Sequence, residues 1–154
     1  MNKTRERFIN VVTVLLGLLT AAVLFGMAMY YYPRDILELD ITILDETVVA
    51  GGEVQTHNEV FTKANAASRY DNALQCDRTT YFLFSVQANT EKRDEPINSK
   101  FTYDIPRDVT PSPPTCKIVV DGRHEVEILP FFTRTYTTRF ESNNEVIVLP
   151  AQEE

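Results

Sequence analysis

The chain of 154 residues sets 15 Lys+Arg against 22 Asp+Glu, a formal charge of −7, and holds 2 Cys and no Trp. That length suits one domain, or one domain plus an anchor. It excludes a large multidomain enzyme, a repeat array and a disulfide-dense miniature scaffold. The acidic balance argues against a nucleic-acid partner, because a phosphate backbone selects a basic face.

Residues 1–7 (MNKTRER) form a short basic head, with Lys3, Arg5 and Arg7 against Glu6. Residues 8–32 follow as FINVVTVLLGLLTAAVLFGMAMYYY, without a charge. At ~1.5 Å rise per residue a helix of this length reaches about 37 Å, more than the ~30 Å hydrocarbon core of a bilayer. A lone segment in lipid has to be helical, since its backbone polar groups find partners only within itself. The stretch therefore reads as a single N-terminal transmembrane α-helix over 8–32, with the lipid bilayer as its first partner. Phe8, Leu15, Leu16, Leu19, Leu24 and Phe25 supply apolar surface. Tyr30, Tyr31 and Tyr32 stand where an interfacial aromatic belt belongs, and Pro33 ends the helix.

After the span, residues 33–154 hold 12 basic and 21 acidic residues. The Lys/Arg of the short head place the N-terminus in the cytoplasm. Residues 33–150 then form an exported domain, periplasmic or extracellular, and 151–154 a short acidic tail. The apolar stretch is longer than a signal-peptide core of about 7–15 residues, so it reads as an uncleaved anchor; Gly26-x-Ala28 is the rival cleavage signal. Gly17 with Ala21, and Ala22 with Gly26, have the spacing that lets two helices approach closely, which would make a homo-oligomer. Lipid-facing filler is the plainer reading of all four.

The exported part alternates like strands. Leu37, Leu39, Ile41 and Ile43 alternate with Glu38, Asp40 and Thr42, giving one apolar face. Ala50-Gly51-Gly52 supplies a turn, and a more polar strand follows over 54–62. Residues 63–76, with several Asn, Ala and Ser, read as a loop. The run 79–88 (TTYFLFSVQA) is apolar on both faces at its centre and reads as a central strand. Residues 90–99 (TEKRDEPINS) read as a charged loop, then Phe101, Tyr103 and Ile105 as a short strand stopped by Pro106. The four prolines of 106–115 exclude a central strand and give a surface crossover. Asp121-Gly122, between two β-rich runs, signals either a hairpin or a bulge within one long strand. Residues 131–141 and 145–149 close the domain around Ser142-Asn143-Asn144. About seven short strands with regular turns indicate an all-β sandwich.

The layout from Tyr32 to Val148 resembles small membrane-anchored Ig-like proteins encoded by bacteria and their phages. The matching elements are the Tyr32-Pro33 exit, Val48–Gly52, the lone Cys76, Pro113-Pro114 and the closing FESNNEVIV. The resemblance implies an Ig-like sandwich and carries no functional residue. Antibody-type domains place a Trp between their cysteines, and a Tyr two residues before the second one; here there is no Trp, and Pro114 stands at the second place.

An exported domain meets an oxidising compartment, where Cys76 and Cys116 suit a disulfide; two free buried thiols are the alternative. His57 and His124, the only histidines, sit among polar neighbours without ligand spacing and read as exposed strand positions. Asp45, Asp71 and Asp77 could converge from loops, but no calcium-loop motif exists. The pairs Asp94/Glu95 and Glu125/Glu127 read as solvated faces. No nucleophile elbow, phosphate loop or dinucleotide fingerprint occurs. The chain is thus expected to be no enzyme, to use no cofactor or metal, and to bind a protein partner through loops 63–76, 90–99 and 106–115. The rival is a phage lysis-control or superinfection-exclusion protein, an analogy of topology alone.

Overall fold

The computed structural model describes residues 3–31, 36–130 and 132–151, with side chains for 9–30, 36–128, 130 and 132–151. Two compact units result, residues 1–34 and residues 35–154. Tyr32 and Pro33 lie outside the described residues, as do the side chains of Phe8 and Tyr31.

The first unit is one helix, α1 (Lys3–Tyr31). Its stretch Ile9–Tyr30, 22 residues, is long and apolar enough to cross a membrane, about 33 Å at helical rise. Within it the Thr13 hydroxyl donates to the Ile9 carbonyl at 2.9 Å, and the Thr20 hydroxyl to that of Leu16 at 2.8 Å. Both hydroxyls are thereby satisfied without water.

The second unit holds nine strands among the described residues: β1 (Leu37–Ile43), β2 (Thr47–Val49), β3 (Glu53–Thr62), β4 (Ala66–Cys76), β5 (Thr79–Thr90), β6 (Ile97–Asp104), β7 (Thr115–Leu129), β8 (Phe132–Glu141) and β9 (Val146–Leu149). One sheet runs β1-β3-β6, all antiparallel. The other runs β2-β9-β7-β4-β5, with β8 also on β7 and β2 parallel to β9. The chain thus leaves one sheet after Ile43 and joins the other at Thr47. With three strands facing a larger sheet, this is the layout of an Ig-like sandwich.

Alternation puts one face of each sheet into the core. Ile41, Ile43, Val54, Tyr103 and Ile105 from the smaller sheet meet Val48, Leu74, Ile118, Val120, Val146 and Val148 from the larger. At about 25 cal/mol per Å² of apolar area, closing these faces is the main stabilising term.

Four expectations are corrected. The strands number nine rather than about seven: β2, with three residues, is too short to stand out in sequence, and β4 reads as loop. Residues 66–76, read as loop, form β4, which lies between β7 and β5. Its inward face carries Ser68 and Asn72, which find partners on other strands in His124 and Tyr103. The run 79–88 belongs to β5, which ends its sheet rather than lying within it; a bulge opposite Asn72/Ala73 turns Phe82 outward, 60% exposed. The charged loop spans only 91–96, since β6 begins at Ile97. Of the two readings open for Asp121-Gly122, the structure has the single long strand, with both residues inside β7.

The register of β4 on β7 pairs Gln75 with Lys117, which brings Cys76 opposite Cys116. Their Sγ atoms lie at disulfide distance, 2.04 Å, with Cα atoms 4.2 Å apart. This link joins neighbouring strands of one sheet, whereas the antibody-type bridge crosses between sheets.

Candidate functional site

β5 and β6 are consecutive in the chain, yet each ends a different sheet. Among the described residues no further strand joins them, so the sandwich is open along this side. The opening is an apolar cleft of about 330 Å³. Leu39 and Val60 line it from the smaller sheet, Phe84 and Val86 from β5, and Ile97 and Phe101 from β6. Loop 91–96 forms its rim with Glu91 and Arg93, and is tied down by Arg93 N–H to the Thr62 carbonyl (2.9 Å) and Lys92 N–H to Asn65 Oδ1 (2.7 Å).

Three rings form one wall. Phe84 lies 5.7 Å from both Phe101 and Tyr103, with ring planes 28° apart in each case, and Phe101 lies 5.0 Å from Tyr103. Such offset stacks gain beyond their burial. Val86, Ile97 and Phe101 are each roughly two-fifths exposed, so the apolar surface is reachable from solvent.

The floor is polar and buried. The Tyr103 hydroxyl donates to Asn72 Oδ1 at 3.4 Å, and the Asn72 amide reaches the carbonyls of Tyr70 and Phe84 at 3.5 Å. Asn58, on the inner face of β3, is only 8% exposed, and its Oδ1 has no hydrogen-bond partner. Burial pushes the Tyr103 phenol above its ordinary pKa, with Asn58 beside it acting the other way.

Tyr70 lies between this cleft and a second buried cluster. Its ring meets that of His124 edge-on at 5.6 Å. His124 Nδ1 lies 2.9 Å from Ser68 Oγ, and Nε2 2.8 Å from Thr138 Oγ1. A neutral imidazole donates through one nitrogen and accepts through the other; burial favours that form by lowering the His124 pKa. His124 is therefore no exposed strand residue: its side of β7 faces the core, and it is fully buried. Ser68 is 5% exposed, and both ring nitrogens are engaged by hydroxyls, so the trio pairs polar groups inside the core. His57, outward on β3, is half-buried.

A polar depression of about 590 Å³ near Arg69 and Arg123 lies elsewhere on the second unit. Each arginine already faces a carboxylate: Arg69 Nε lies 3.1 Å from Asp71, and Arg123 Nη2 3.8 Å from Glu125. The Asp71 carboxyl is held low, first by a hydrogen bond from Ser85. Asp45 accepts the Gln55 N–H at 2.6 Å and does not meet Asp71 or Asp77. No group of three His, Cys, Asp or Glu converges among the described residues.

The helix residues named from sequence occupy α1, where Gly17, Ala21, Ala22 and Gly26 are all exposed. Gly17 and Gly26 have open space around an added Cβ. They are nine positions apart, about two and a half turns, so they stand on opposite faces of the helix. Gly17 with Ala21 forms one small-residue patch, and Ala22 with Gly26 forms another, because 100° per residue turns the second patch away from the first.

Of the expected binding loops, 63–76 is mostly strand, part of 90–99 rims the cleft, and 106–115 is a crossover that buries its own Val109 in the core. Sequence reading did not find the cleft. The alternation of Phe101 and Tyr103 was visible, but the edge position of β5 was not.

No family model matches the chain, and no curated protein matches it. Among solved structures it is similar to the sporulation control protein Spo0M of Bacillus subtilis, with 14% identity and a TM-score of 0.42 over 75% of this chain; the chain spans half the length of Spo0M. It is also similar to a chain in a structure concerning T cell specificity and activation by the bacterial superantigen toxic shock syndrome toxin-1. There the identity is 10% and the TM-score 0.37, over 73% of this chain and 100% of that one. At these scores neither likeness carries a function across.

Proposed function

We propose that the chain is a single-pass, membrane-tethered binding module, with a cytoplasmic N-terminus and the sandwich exported to a periplasmic or extracellular space, where it engages a partner protein. One combination carries this reading: an uninterrupted apolar span (Ile9–Tyr30) in the same chain as a β domain whose two cysteines lie at disulfide distance. A spanning helix with a basic head exports the domain on its C-terminal side, and disulfides persist in the compartment that domain enters. The open edges of β5 and β6 are the surface offered to a partner, because an edge strand presents unpaired ladder groups.

The test uses the full chain in its own membrane. Protease added to intact cells should remove the β domain and spare the head. A photo-crosslinker at Gln87, on β5, should capture a partner that the same group at Lys117, on β7, does not. Recovery of the intact chain from the soluble cytosolic fraction would refute the tether. Membrane leakage on expression, without a captured partner, would favour lysis control instead.

A further inference from the structure

We infer that β5 is a self-association edge: a second copy of this chain lays its own β5 antiparallel to the first, about a two-fold axis at Gln87, so that two sandwiches share one continuous sheet. The inference rests on the reading of β5 as a partner surface, and it names the partner.

Edge strands are normally blunted by charge, proline, shortness or cover, because their free backbone groups template another strand. The other edges of this domain carry such devices. β1 holds Glu38 and Asp40, and Asn143 and Asn144 occupy backbone groups at its end. β2 has three residues. β6 carries Lys100 and Asp104, and β8 carries Arg134, Arg139 and Glu141. β5 differs: its 12 residues (TTYFLFSVQANT) include no charge and no proline, and among the described residues it pairs with β4 alone. Its stretch Ser85 to Asn89 is exposed without a break.

A strand that continues this sheet has to be apolar towards the cleft and polar outside. β5 itself has that pattern. Phe84 and Val86 line the cleft, whereas Ser85 hydrogen-bonds Asp71 and Gln87 lies in register with Arg69 on the solvent side. A two-fold at Gln87 sets Gln87 against Gln87, Val86 against Ala88 and Ser85 against Asn89, so like faces meet like faces.

Charge selects the same occupant. Residues 33–154 hold 12 basic and 21 acidic residues, so two copies repel over most of their surface. On a charge-free strand they meet without setting like charges opposite each other. A basic partner would find its carboxylates on β1 instead.

The test is energy transfer between donor- and acceptor-labelled populations of the purified full chain in phosphatidylcholine vesicles, with labels at the C-terminus. Gln87→Lys and Gln87→Glu change an exposed side chain, and circular dichroism checks that both variants fold. Each alone sets like charges opposite each other and should weaken association roughly three- to five-fold, while a mixture of the two should restore it. A photo-crosslinker at Gln87 of the purified chain should give a product of twice the chain mass. A monomeric chain, transfer unchanged in both variants, or a mixture no tighter than its components would each overturn the inference. If the purified chain is monomeric and the same crosslinker captures a different protein in the native membrane, self-pairing falls and the binding-module reading stands. Capture of nothing in either setting overturns both.

Discussion

The side chain of Asn144 occupies both backbone hydrogen-bonding groups of Ile43, 101 residues earlier. Its Oδ1 accepts the Ile43 N–H at 2.8 Å, and its Nδ2 donates to the Ile43 carbonyl at 2.8 Å. An amide side chain here takes the place of a neighbouring strand. It does so at the end of β1, where the chain leaves the smaller sheet for the larger. Asn143 N–H adds a bond to the Ile41 carbonyl at 2.8 Å, while the Ser142 N–H and the Ile118 carbonyl pair at 2.9 Å. The turn between β8 and β9 thus fastens both sheets.

Asn144→Ala leaves two backbone groups of Ile43 without their partner. At about 1 kcal/mol per net hydrogen bond the expected loss is about 1–2 kcal/mol. Asn144→Asp keeps the acceptor and loses the donor, so it should fall between. Thermal unfolding of the full chain in micelles checks the order wild type, N144D, N144A.

Gly122 is held glycine by its neighbours rather than by a turn. An added Cβ would stand 2.5 Å from Thr138 Oγ1 and 2.8 Å from His124 Nε2, the two atoms that hydrogen-bond each other. Gly122→Ala should therefore destabilise by about 1–3 kcal/mol, the usual range for overpacking. Thr138→Ala in the same chain should recover part of that loss, and comparison of the two unfolding midpoints tests the coupling.

His124 gives the domain an acid-sensitive element. Burial lowers its folded-state pKa below the unfolded value of about 6.5. On acidification the unfolded chain takes up a proton before the folded one. The stability this residue contributes is thus complete above about pH 6.5 and falls as the pH drops towards the folded pKa. The groups facing it, Ser68, Thr138 and the ring of Tyr70, carry no charge to offset an imidazolium. His124→Gln should flatten the loss of stability between pH 7 and pH 5, read as unfolding midpoint against pH.

A 40-residue separation between Cys76 and Cys116 gives the bridge a contribution of about 4 kcal/mol in the chain-entropy model. The doubly substituted chain Cys76→Ala/Cys116→Ala should lose stability of that order. Thiol titration of the denatured chain from its native compartment should find no free thiol without reductant. Two thiols before reduction would remove the bridge.

Because Gly17 and Gly26 lie on opposite helix faces, one packed helix pair can use only one of them. In a membrane reporter assay of self-association, Gly17→Ile or Gly26→Ile should lower the signal, and the other should leave it unchanged. Equal effects of both substitutions, or none, would exclude a single helix–helix contact.

Much of this architecture was legible in the residues. The apolar span from Ile9 to Tyr30 and the alternation of β1, β3 and β6 follow from periodicity, which needs no knowledge of neighbours. Misreadings fell where a residue's partner is distant. β4 looked like loop because Ser68 and Asn72 are poor strand residues until His124 and Tyr103 satisfy them. Asp121-Gly122 left a hairpin and one long strand both open, because sequence cannot show that His124 and Thr138 occupy the Cβ position of Gly122. His124 looked exposed because charged neighbours on a strand point the other way.

By itself the sequence determined an apolar helix followed by an acidic all-β domain with a cysteine pair, since local hydropathy and the strand period of two decide those features. Only the tertiary structure decided that β5 and β6 end their sheets side by side, and that Asn58 lies beneath them with an unpaired oxygen. Edge and centre are properties of strand order. That order is set by which apolar faces close on each other across the whole chain, and no local pattern encodes it.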